Sequence, residues 1–234
     1  ARFKEVKNAL GGTVNDVVLA AVSGALGRHL RRNGHPTRDL VLRAMVPVSV
    51  RADLDRGALG NRVSTMYAPL PVGVTDPIAR LAMVREAMTG LKESGQAVGA
   101  QVLTQLGDFA PPTIMAQAAR LQSRQRFFNL VVTNVPGPQY SLYLLGHRLE
   151  AIYPMVPLAR NQALGIALMS YDGRLDFGLN ADFDALPDLE TLAEDLAESI
   201  AELTDAAGLP PDRSARRRPA PRRTRRKAPA GARG

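Results

Sequence analysis

The chain has 234 residues, a hydrophobic share of 45% and a formal net charge of +8 at pH 7. This length suits one domain of about 200 residues with a short extension. The sequence contains no cysteine, which excludes disulfides, zinc–thiolate sites and thiol nucleophiles. No run of residues approaches the roughly 20 apolar positions of a membrane-spanning helix, and the start of the chain lacks the apolar run of a secretory signal. A cytoplasmic protein is therefore expected.

The positive charge is confined to the C-terminal end. Ten Lys or Arg residues and no acidic residue lie in 213–234, so the remaining 212 residues carry 20 basic and 22 acidic side chains. A Pro- and Arg-rich segment buries no core, and the sequence predicts a domain at 1–208 followed by a disordered basic tail at 209–234. Cations without interleaved aromatic residues attach nonspecifically to anionic surfaces. Two interpretations stay open, a membrane-surface anchor and a merely solubilising tail, whereas specific nucleic-acid binding is not indicated.

The first predicted elements are a helix and two strands. Thr13 and Asp16 have the spacing of a capping box, an apolar face follows them, and Asn33-Gly34 provides a stop. The pattern therefore predicts a helix over about residues 13–32. The β-rich segments that follow it are 40–50 and 63–72.

Further helices and strands alternate along the rest of the chain. Asp76-Pro77 opens a helix whose apolar positions recur at helical spacing from Ile78 to Leu91. Asp172-Gly173 is typical of a tight hairpin turn. The remaining predicted elements are one or two helices in 95–125, a buried strand at 127–133, short strands at 142–145 and 149–155, hairpin strands at 162–171 and 174–180, and a helix at 187–206. This order indicates an α+β or α/β protein.

Histidine is the usual general acid or base, and the chain has three. His29 lies in the last turns of a predicted helix, where a cation is favoured, and His35 precedes a proline in a turn. His147, in a Gly-His-Arg turn, is kept only as a minor catalytic candidate, because catalytic groups often lie on loops. Nucleophile-elbow and phosphate-binding glycine motifs are absent. The residues alone predict no complete active site.

Two early segments place polar residues at unusual positions. Asn15 and Asp16 open an otherwise apolar helix, where helix capping and a contact with a neighbouring loop or a hydroxyl substrate are both open interpretations. Arg51 ends the run Pro-Val-Ser-Val-Arg after the first predicted strand, and Asn61 follows in a Gly-Asn pair. An isolated arginine of this kind is most often solvated.

Two later segments are also distinctive. Asn134-Val135-Pro136, extended by Gly137-Pro138, ends the most hydrophobic strand in a rigid turn of the kind found at the rim of a cleft. A purely conformational role for this turn is the alternative. In the hairpin after Asp172-Gly173, Gly178 would allow another backbone to approach closely.

In this order, the four segments resemble the C-terminal part of bacterial wax ester synthase/diacylglycerol acyltransferases. The family's ND motif matches Asn15-Asp16, and its NVP motif matches Asn134-Val135-Pro136. The resemblance covers about residues 5–208. It implies half of a chloramphenicol acetyltransferase-like two-domain fold, with a mixed β-sheet packed against helices and an active-site tunnel between the halves.

The resemblance implies transfer of an acyl group from acyl-CoA to diacylglycerol or a long-chain alcohol, with acyl-CoA as co-substrate and no other cofactor. The family's base is a histidine in an N-terminal His-His-x-x-x-Asp-Gly motif, which is absent from this sequence. The isolated chain is therefore expected to be inactive and to need an N-terminal half in cis or in trans. The alternative is a non-catalytic lipid- or protein-binding remnant of the enzyme.

By the same resemblance, this chain carries no catalytic residue and contributes one tunnel wall and the interface between the halves. A cytoplasmic location is expected, peripheral at a membrane or lipid droplet. The residues assigned to the tunnel and interface are Asn15, Asp16, Arg51, Asn61, Asn134, Val135 and Pro136.

Overall fold

The computed structural model describes residues 2–49, 63–93, 127–158 and 161–211. The helices in these ranges are α1 (Arg2–Leu10), α2 (Val14–Arg32), α3 (Pro77–Glu93) and α4 (Leu189–Ala206). The strands are β1 (Leu42–Ser49), β2 (Val63–Leu70), β3 (Leu130–Pro136), β4 (Tyr143–Leu144), β5 (His147–Arg148), β6 (Leu164–Tyr171) and β7 (Arg174–Ala181). The predicted helices of 95–125 and residues 212–234 of the predicted basic tail lie outside the described residues.

Two helices begin where their capping residues predict. The Thr13 hydroxyl accepts a hydrogen bond from the Asp16 amide, and the Asp16 carboxylate accepts one from the Thr13 amide at 2.7 Å, which completes a capping box for α2. At the start of α3, the Asp76 carboxylate accepts from the Ala79 amide at 2.6 Å. Each cap satisfies backbone donors that the first turn of a helix leaves unpaired.

Five of the strands form one mixed sheet in the order β2-β1-β3-β6-β7. The outer pairs, β1–β2 and β6–β7, are antiparallel, and the central strand β3 is parallel to both β1 and β6. Strands β4 and β5 form a separate two-stranded ribbon. The mixed sheet packed with helices confirms the predicted α+β class, and the hairpin predicted at Asp172-Gly173 is confirmed with φ of 46° and 76° at the two residues.

One face of the sheet carries the hydrophobic core. Alternate residues of each strand point to this face, as in Ala44 and Val46 of β1 or Leu130 and Val132 of β3, and they pack against the helices. Helix α2 lies at the centre of this layer, and all of its residues from Asp16 to Gly27 are buried. The described residues contain no single helix able to span a membrane; α1 and α2 reach the required length and hydropathy only together, across a bend of 97°.

The segment 150–158 crosses the opposite face at β6 and β7. The Val156 carbonyl accepts a hydrogen bond from Asn180 at 3.2 Å. A Cβ at Gly178 would lie 1.7 Å from the Pro154 carbonyl oxygen, and one at Gly165 would lie 2.6 Å from Val156 Cγ1. The close backbone approach predicted at Gly178 is confirmed. The strand predicted at 149–155 was wrong, because this segment lies against the face of the sheet and pairs with no strand edge.

A buried arginine joins three of the helices. Arg80, with 1% of its surface exposed, donates to the carbonyl of Ala20 in α2 at 3.0 Å. On α4 it donates to Ser199 Oγ at 3.3 Å and Glu202 Oε2 at 3.2 Å. Its remaining bonds go to the Val74 and Thr75 carbonyls. Ile78, the first of the apolar positions that predicted α3, is 52% exposed and lies on the outer face of the helix.

Candidate functional site

The carboxyl ends of three parallel strands lie at one edge of the sheet. Strand β1 ends at Ser49, β3 at Pro136 and β6 at Tyr171, and their parallel pairing directs all three ends to the same side. In open sheets with parallel strands, loops at this edge commonly carry binding residues. The Pro-Val-Ser-Val-Arg run at the end of β1 and the Asn134-Val135-Pro136 motif at the end of β3 therefore leave the sheet at the same edge. Arg51 and Asn61 themselves lie outside the described residues.

The Asn134-Val135-Pro136 motif forms the exit of β3. Asn134 pairs in register with Leu168, which places it on the helix-packed side of the sheet, and it is half-buried. Val135 points to the opposite side and is 46% exposed. A Cβ at Gly137 would lie 2.3 Å from the Ser170 carbonyl oxygen, while the Gly137 amide donates to Ser170 Oγ at 3.1 Å. Glycine therefore lets the turn after the motif pack directly on the end of β6.

The Asn15-Asp16 motif lies in the first turn of α2. Besides its capping role, Asp16 has a buried Oδ1 without a hydrogen-bond partner among the described residues. Asn15 is half-buried. The preceding Gly11-Gly12 turn has φ of 83° and 87°, and the Arg85 side chain of α3 lies over it, since Nη1 would be 2.7 Å from a Cβ at Gly11. The capping interpretation of Asp16 is confirmed, and its role toward a substrate stays a prediction.

The two motifs lie toward the same end of the domain. Phe3 of α1, the helix just before the Asn15-Asp16 turn, packs on Phe177 with ring centroids 5.7 Å apart. Phe177 pairs with Leu168, and Leu168 pairs with Asn134, so the three form one row of the sheet. Among the described residues, no hydrogen bond joins the start of α2 to the exit of β3.

Residues 140–149, here called the arm, follow the β3 exit and contain the β4–β5 ribbon. Tyr171, fully buried, accepts a hydrogen bond from the Leu142 amide at 2.7 Å and donates one to the Leu149 carbonyl at 2.9 Å. Asp172 accepts from Arg148 at 2.6 Å and from Ser141 Oγ at 2.9 Å. These bonds fix the base of the arm to the β6–β7 turn.

The same contacts shift the pKa values of the charged pair, Arg148 and Asp172, that joins the arm to the β6–β7 turn. The hydrogen bond from Arg148, then that from Ser141, lowers the pKa of the Asp172 carboxyl below its usual range. The hydrogen bond to Asp172 raises the pKa of the Arg148 guanidinium in turn. Both groups are therefore charged at neutral pH.

None of the three histidines forms a general-base arrangement at this edge within the described ranges. His29 is buried in the α2–α4 interface, with Nε2 3.6 Å from Asp188 and Nδ1 3.5 Å from Asp195. His35 and His147 are exposed. The described residues also include no group of three or more His, Asp and Glu side chains that could hold a metal ion.

A pocket of about 500 Å³ opens beside α3 and the edge strand β2. Arg43, Tyr67 and Phe127 line it together with Ala87, Gly90 and Leu91 of α3. Tyr67 packs on both Phe127 and Phe128, with ring centroids 6.2 Å and 5.9 Å apart. The pocket lies where the described chain stops after Glu93 and resumes at Phe127, so we assign it no ligand.

Comparison with known families identifies this architecture. The family model described as the WS/DGAT C-terminal domain matches residues 59–204, which is more than half of the 234-residue chain. The chain belongs to this family. Its match includes β2, α3 and all later strands, and therefore the β3 exit and the arm.

Several members of the WS/DGAT family are similar over nearly the whole chain. A protein named as the diacylglycerol O-acyltransferase tgs2 of Mycobacterium tuberculosis is 39% identical over 211 residues, which cover 89% of this chain and 46% of tgs2. The O-acyltransferase WSD of Acinetobacter baylyi is 35% identical over 201 residues, covering 85% of this chain and 43% of the relative. The chain thus spans less than half the length of these relatives.

Solved structures show the same fold. The wax ester synthase/diacylglycerol acyltransferase from Marinobacter aquaeolei VT8 superposes with a TM-score of 0.67 and 32% identity, over 89% of this chain and 47% of that one. The epimerization domain of tyrocidine synthetase B superposes with a TM-score of 0.57 at 13% identity, covering 88% and 46% of the two chains. The second likeness concerns the fold alone.

Sequence reasoning missed two features of this WS/DGAT C-terminal domain. The position of Arg85 over the Gly11-Gly12 turn has no local signal, because α3 is distant from the turn in the chain. The second feature is the buried Tyr171, which holds the arm. Its position at the end of β6, directly before the Asp172-Gly173 turn, was the one sequence signal that could have pointed to it.

Proposed function

We propose that this chain is the C-terminal part of an O-acyltransferase that transfers an acyl group from acyl-CoA to diacylglycerol or a long-chain alcohol. The observation that supports this most is the likeness, at 32% identity and a TM-score of 0.67, to the Marinobacter aquaeolei wax ester synthase/diacylglycerol acyltransferase. The names of the mycobacterial and Acinetobacter relatives agree with it.

The proposed reaction is an ester exchange without a redox step. The acceptor hydroxyl attacks the thioester carbonyl, a C–O bond forms, the C–S bond breaks, and coenzyme A leaves as a thiol. A base must take the hydroxyl proton and pass it to the leaving thiolate. Since His29 is enclosed by Asp188 and Asp195 and the other two histidines are exposed, we assign that base to an N-terminal half supplied in cis or in trans.

The contribution of this chain would be one wall of the reaction tunnel. We assign this wall to Asn15 and Asp16 at the start of α2 and to Asn134, Val135 and Pro136 at the β3 exit. We add Arg51 and Asn61, which lie in sequence between the end of β1 and the start of β2. Support comes from the shared edge of the parallel strand ends and from the exposure of Val135 and Pro136. The half-buried Asn134 amide is suited to donate or accept a hydrogen bond next to the tunnel.

The test compares the chain alone with a reconstituted pair. Purified chain, given palmitoyl-CoA with dioleoylglycerol or hexadecanol, should release no coenzyme A. Co-expression with the N-terminal part of tgs2 that the 46% match leaves out should restore transfer to at least one acceptor. Turnover by the chain alone would contradict the assignment of the base, and an inactive pair that nevertheless forms would contradict the acyltransferase function.

The second candidate is a non-catalytic lipid- or protein-binding remnant. It is favoured by the absence of a histidine–acid arrangement at the strand-end edge of the described residues. Binding of palmitoyl-CoA to the chain, with no ester formed by the assembled pair, would support this candidate over the enzyme.

For the basic tail we propose attachment to an anionic membrane or lipid-droplet surface. Ten cations in 213–234, against a slightly acidic remainder, favour attraction to anionic headgroups. Co-sedimentation with phosphatidylglycerol vesicles should be strong at low salt and weak at high salt, and removal of 213–234 should abolish it. If the truncated chain sediments equally at low salt, the tail only aids solubility.

A further inference from the structure

We propose that the arm, residues 140–149, is the docking element by which this domain binds the N-terminal half of the enzyme. This inference rests on the proposed function and extends it to a specific surface. The arm begins four residues after Pro136, so it continues the edge formed by the β3 exit.

The first argument is an unusual density of exposed apolar side chains in the arm. Leu145 is 92% exposed, and Leu144, Tyr143 and Tyr140 are 70%, 67% and 68% exposed. Val135, next to the arm, is 46% exposed. A contiguous apolar surface with aromatic residues is typical of a protein contact, and single scattered apolar residues are not.

The second argument is the backbone conformation at the tip of the ribbon. Leu145 and Gly146 connect β4 to β5 with φ of 51° and 81°. A two-residue turn with positive φ at both positions favours Asn-Gly, because asparagine tolerates the left-handed region and leucine does not. The chain thus keeps a leucine where both its backbone and its solvent exposure are unfavourable. A strained residue at an exposed tip points to a contact made elsewhere.

The third argument is that the arm is held in place. Its base is fixed through Tyr171, which bonds to both Leu142 and Leu149, and through the ion pair of Arg148 with Asp172. An element anchored in advance loses little conformational freedom on binding, which favours affinity.

The relatives identify the occupant. The chain covers 46% of tgs2 and 47% of the Marinobacter aquaeolei enzyme, and the matching family model is named a C-terminal domain. A full-length family chain therefore contains a further half, which we take as the partner of the arm. A membrane is less suited to the arm, because the chain outside 213–234 is slightly acidic and Arg148 is already paired with Asp172.

The test uses Leu145→Asn in the full chain. Asparagine suits the positive φ, so the variant should fold at least as well as wild type in urea unfolding. Its affinity for the N-terminal part of tgs2, measured by titration of the purified proteins, should fall about tenfold, as expected when a central apolar contact is lost. Phe183→Asn is the matched control. Phe183 is also highly exposed, at 77%, but lies beyond the end of β7, whose eight residues span about 26 Å and separate it from the Asp172 turn.

The outcomes separate this inference from the proposed function. Loss of affinity in Leu145→Asn, with Phe183→Asn unchanged, supports the arm as docking element. Equal affinity of Leu145→Asn and wild type would contradict the docking role of the arm, while the proposed acyltransferase function of the assembled pair would stand. If wild type does not bind the N-terminal part at all, both the pairing and the arm are refuted. If Leu145→Asn instead weakens binding to phosphatidylcholine vesicles and not to the protein, the arm is a lipid contact and the inference is wrong.

Discussion

The helix layer and the arm differ in how far their side chains are paired within the domain. Between α2, α3 and α4, a buried arginine has five hydrogen-bond acceptors, and its neighbour Arg28 pairs with Glu198 at 3.0 Å and with Glu202. The arm, by contrast, bonds to one buried polar side chain, Tyr171, at its base. The leucines at its tip are exposed to solvent. The helix layer thus pairs most of its charged groups internally, whereas the arm leaves an apolar tip exposed that only a partner would cover.

This difference separates residues that serve folding from residues that serve association. Changes in the helix layer should lower the free energy of unfolding of the chain alone, because the interactions lost are internal. Changes at the arm tip should leave that free energy unchanged and alter only binding. The following predictions test whether this division holds.

The largest effect is expected at Arg80. Desolvation by burial lowers the pKa of its guanidinium, and the hydrogen bond from Arg80 to Glu202 opposes that shift. Arg80→Met would remove the side-chain donor from the Ala20, Val74 and Thr75 carbonyls and from Glu202 Oε2. Unfolding in urea should show a loss of about 3 kcal/mol. Arg38→Ala, at an exposed cation, is the control and should stay within about 0.5 kcal/mol of wild type. A similar stability of both variants would mean that the network does not hold the helices together.

The crossing segment provides the second test. Gly178→Ala places a Cβ against the Pro154 carbonyl, a backbone atom that cannot move away alone, and should cost about 2 kcal/mol. Gly165→Ala meets the side chains of Val156 and Leu158, which can shift, and should cost about 1 kcal/mol. Urea unfolding gives the two values, and limited proteolysis within 150–158 should increase most in Gly178→Ala. The reverse order of the two variants would contradict the packing described.

The capping box separates the structural from the functional role of the ND motif. Thr13→Ala removes one of the two reciprocal hydrogen bonds and should destabilise the chain by about 1 kcal/mol. If Asp16 only caps α2, Asp16→Ala should lower the activity of the reconstituted pair no more than Thr13→Ala does. A much larger loss of turnover in Asp16→Ala, at equal stability, would give the carboxylate a role beyond folding.

The smallest effect concerns pH and the base of the arm. Because hydrogen bonds from Arg148 and Ser141 lower the folded pKa of Asp172, their stabilisation is complete above the unfolded pKa of about 3.9 and is lost as pH falls through the folded value. Amide hydrogen exchange of Leu142 and Leu149, corrected for its intrinsic pH dependence, should therefore accelerate only below about pH 4. Asp172→Asn should show no such acid step. A step near neutral pH would show that another group controls the arm.

Local signals in the sequence predicted much of the fold. The starts of α2 and α3 follow from Thr13 and Asp76, whose side chains cap backbone amides within three residues. The β6–β7 turn follows from Asp172-Gly173, which accepts positive φ. Each of these interactions is short in sequence, so the residues that make it are visible together. The segments that carry the family motifs were found in the same way.

Interactions between distant segments were not predictable in this manner. His29 has the sequence position of a solvated helix-end cation, but Asp188 and Asp195, about 160 residues away, enclose it. Arg80 occupies the inner face of α3 and Ile78 the outer one, because acceptors on α2 and α4 favour a cation there. Contacts between distant segments also limited the prediction of the candidate site. The exit of β3 could be predicted from its own residues, but its neighbours from β6 and α1 could not.

The central position of β3 also determines how the chain assembles. Strands β1 and β2 form one antiparallel pair, and β6 and β7 form another, each from segments close in sequence. Strand β3 joins them, and its pairing of Ala44 with Leu130 closes a loop of more than 80 residues. Such non-local pairing slows folding. The two hairpins should therefore form early, and docking of β3 between them should be the slow step that completes both the core and the β3 exit.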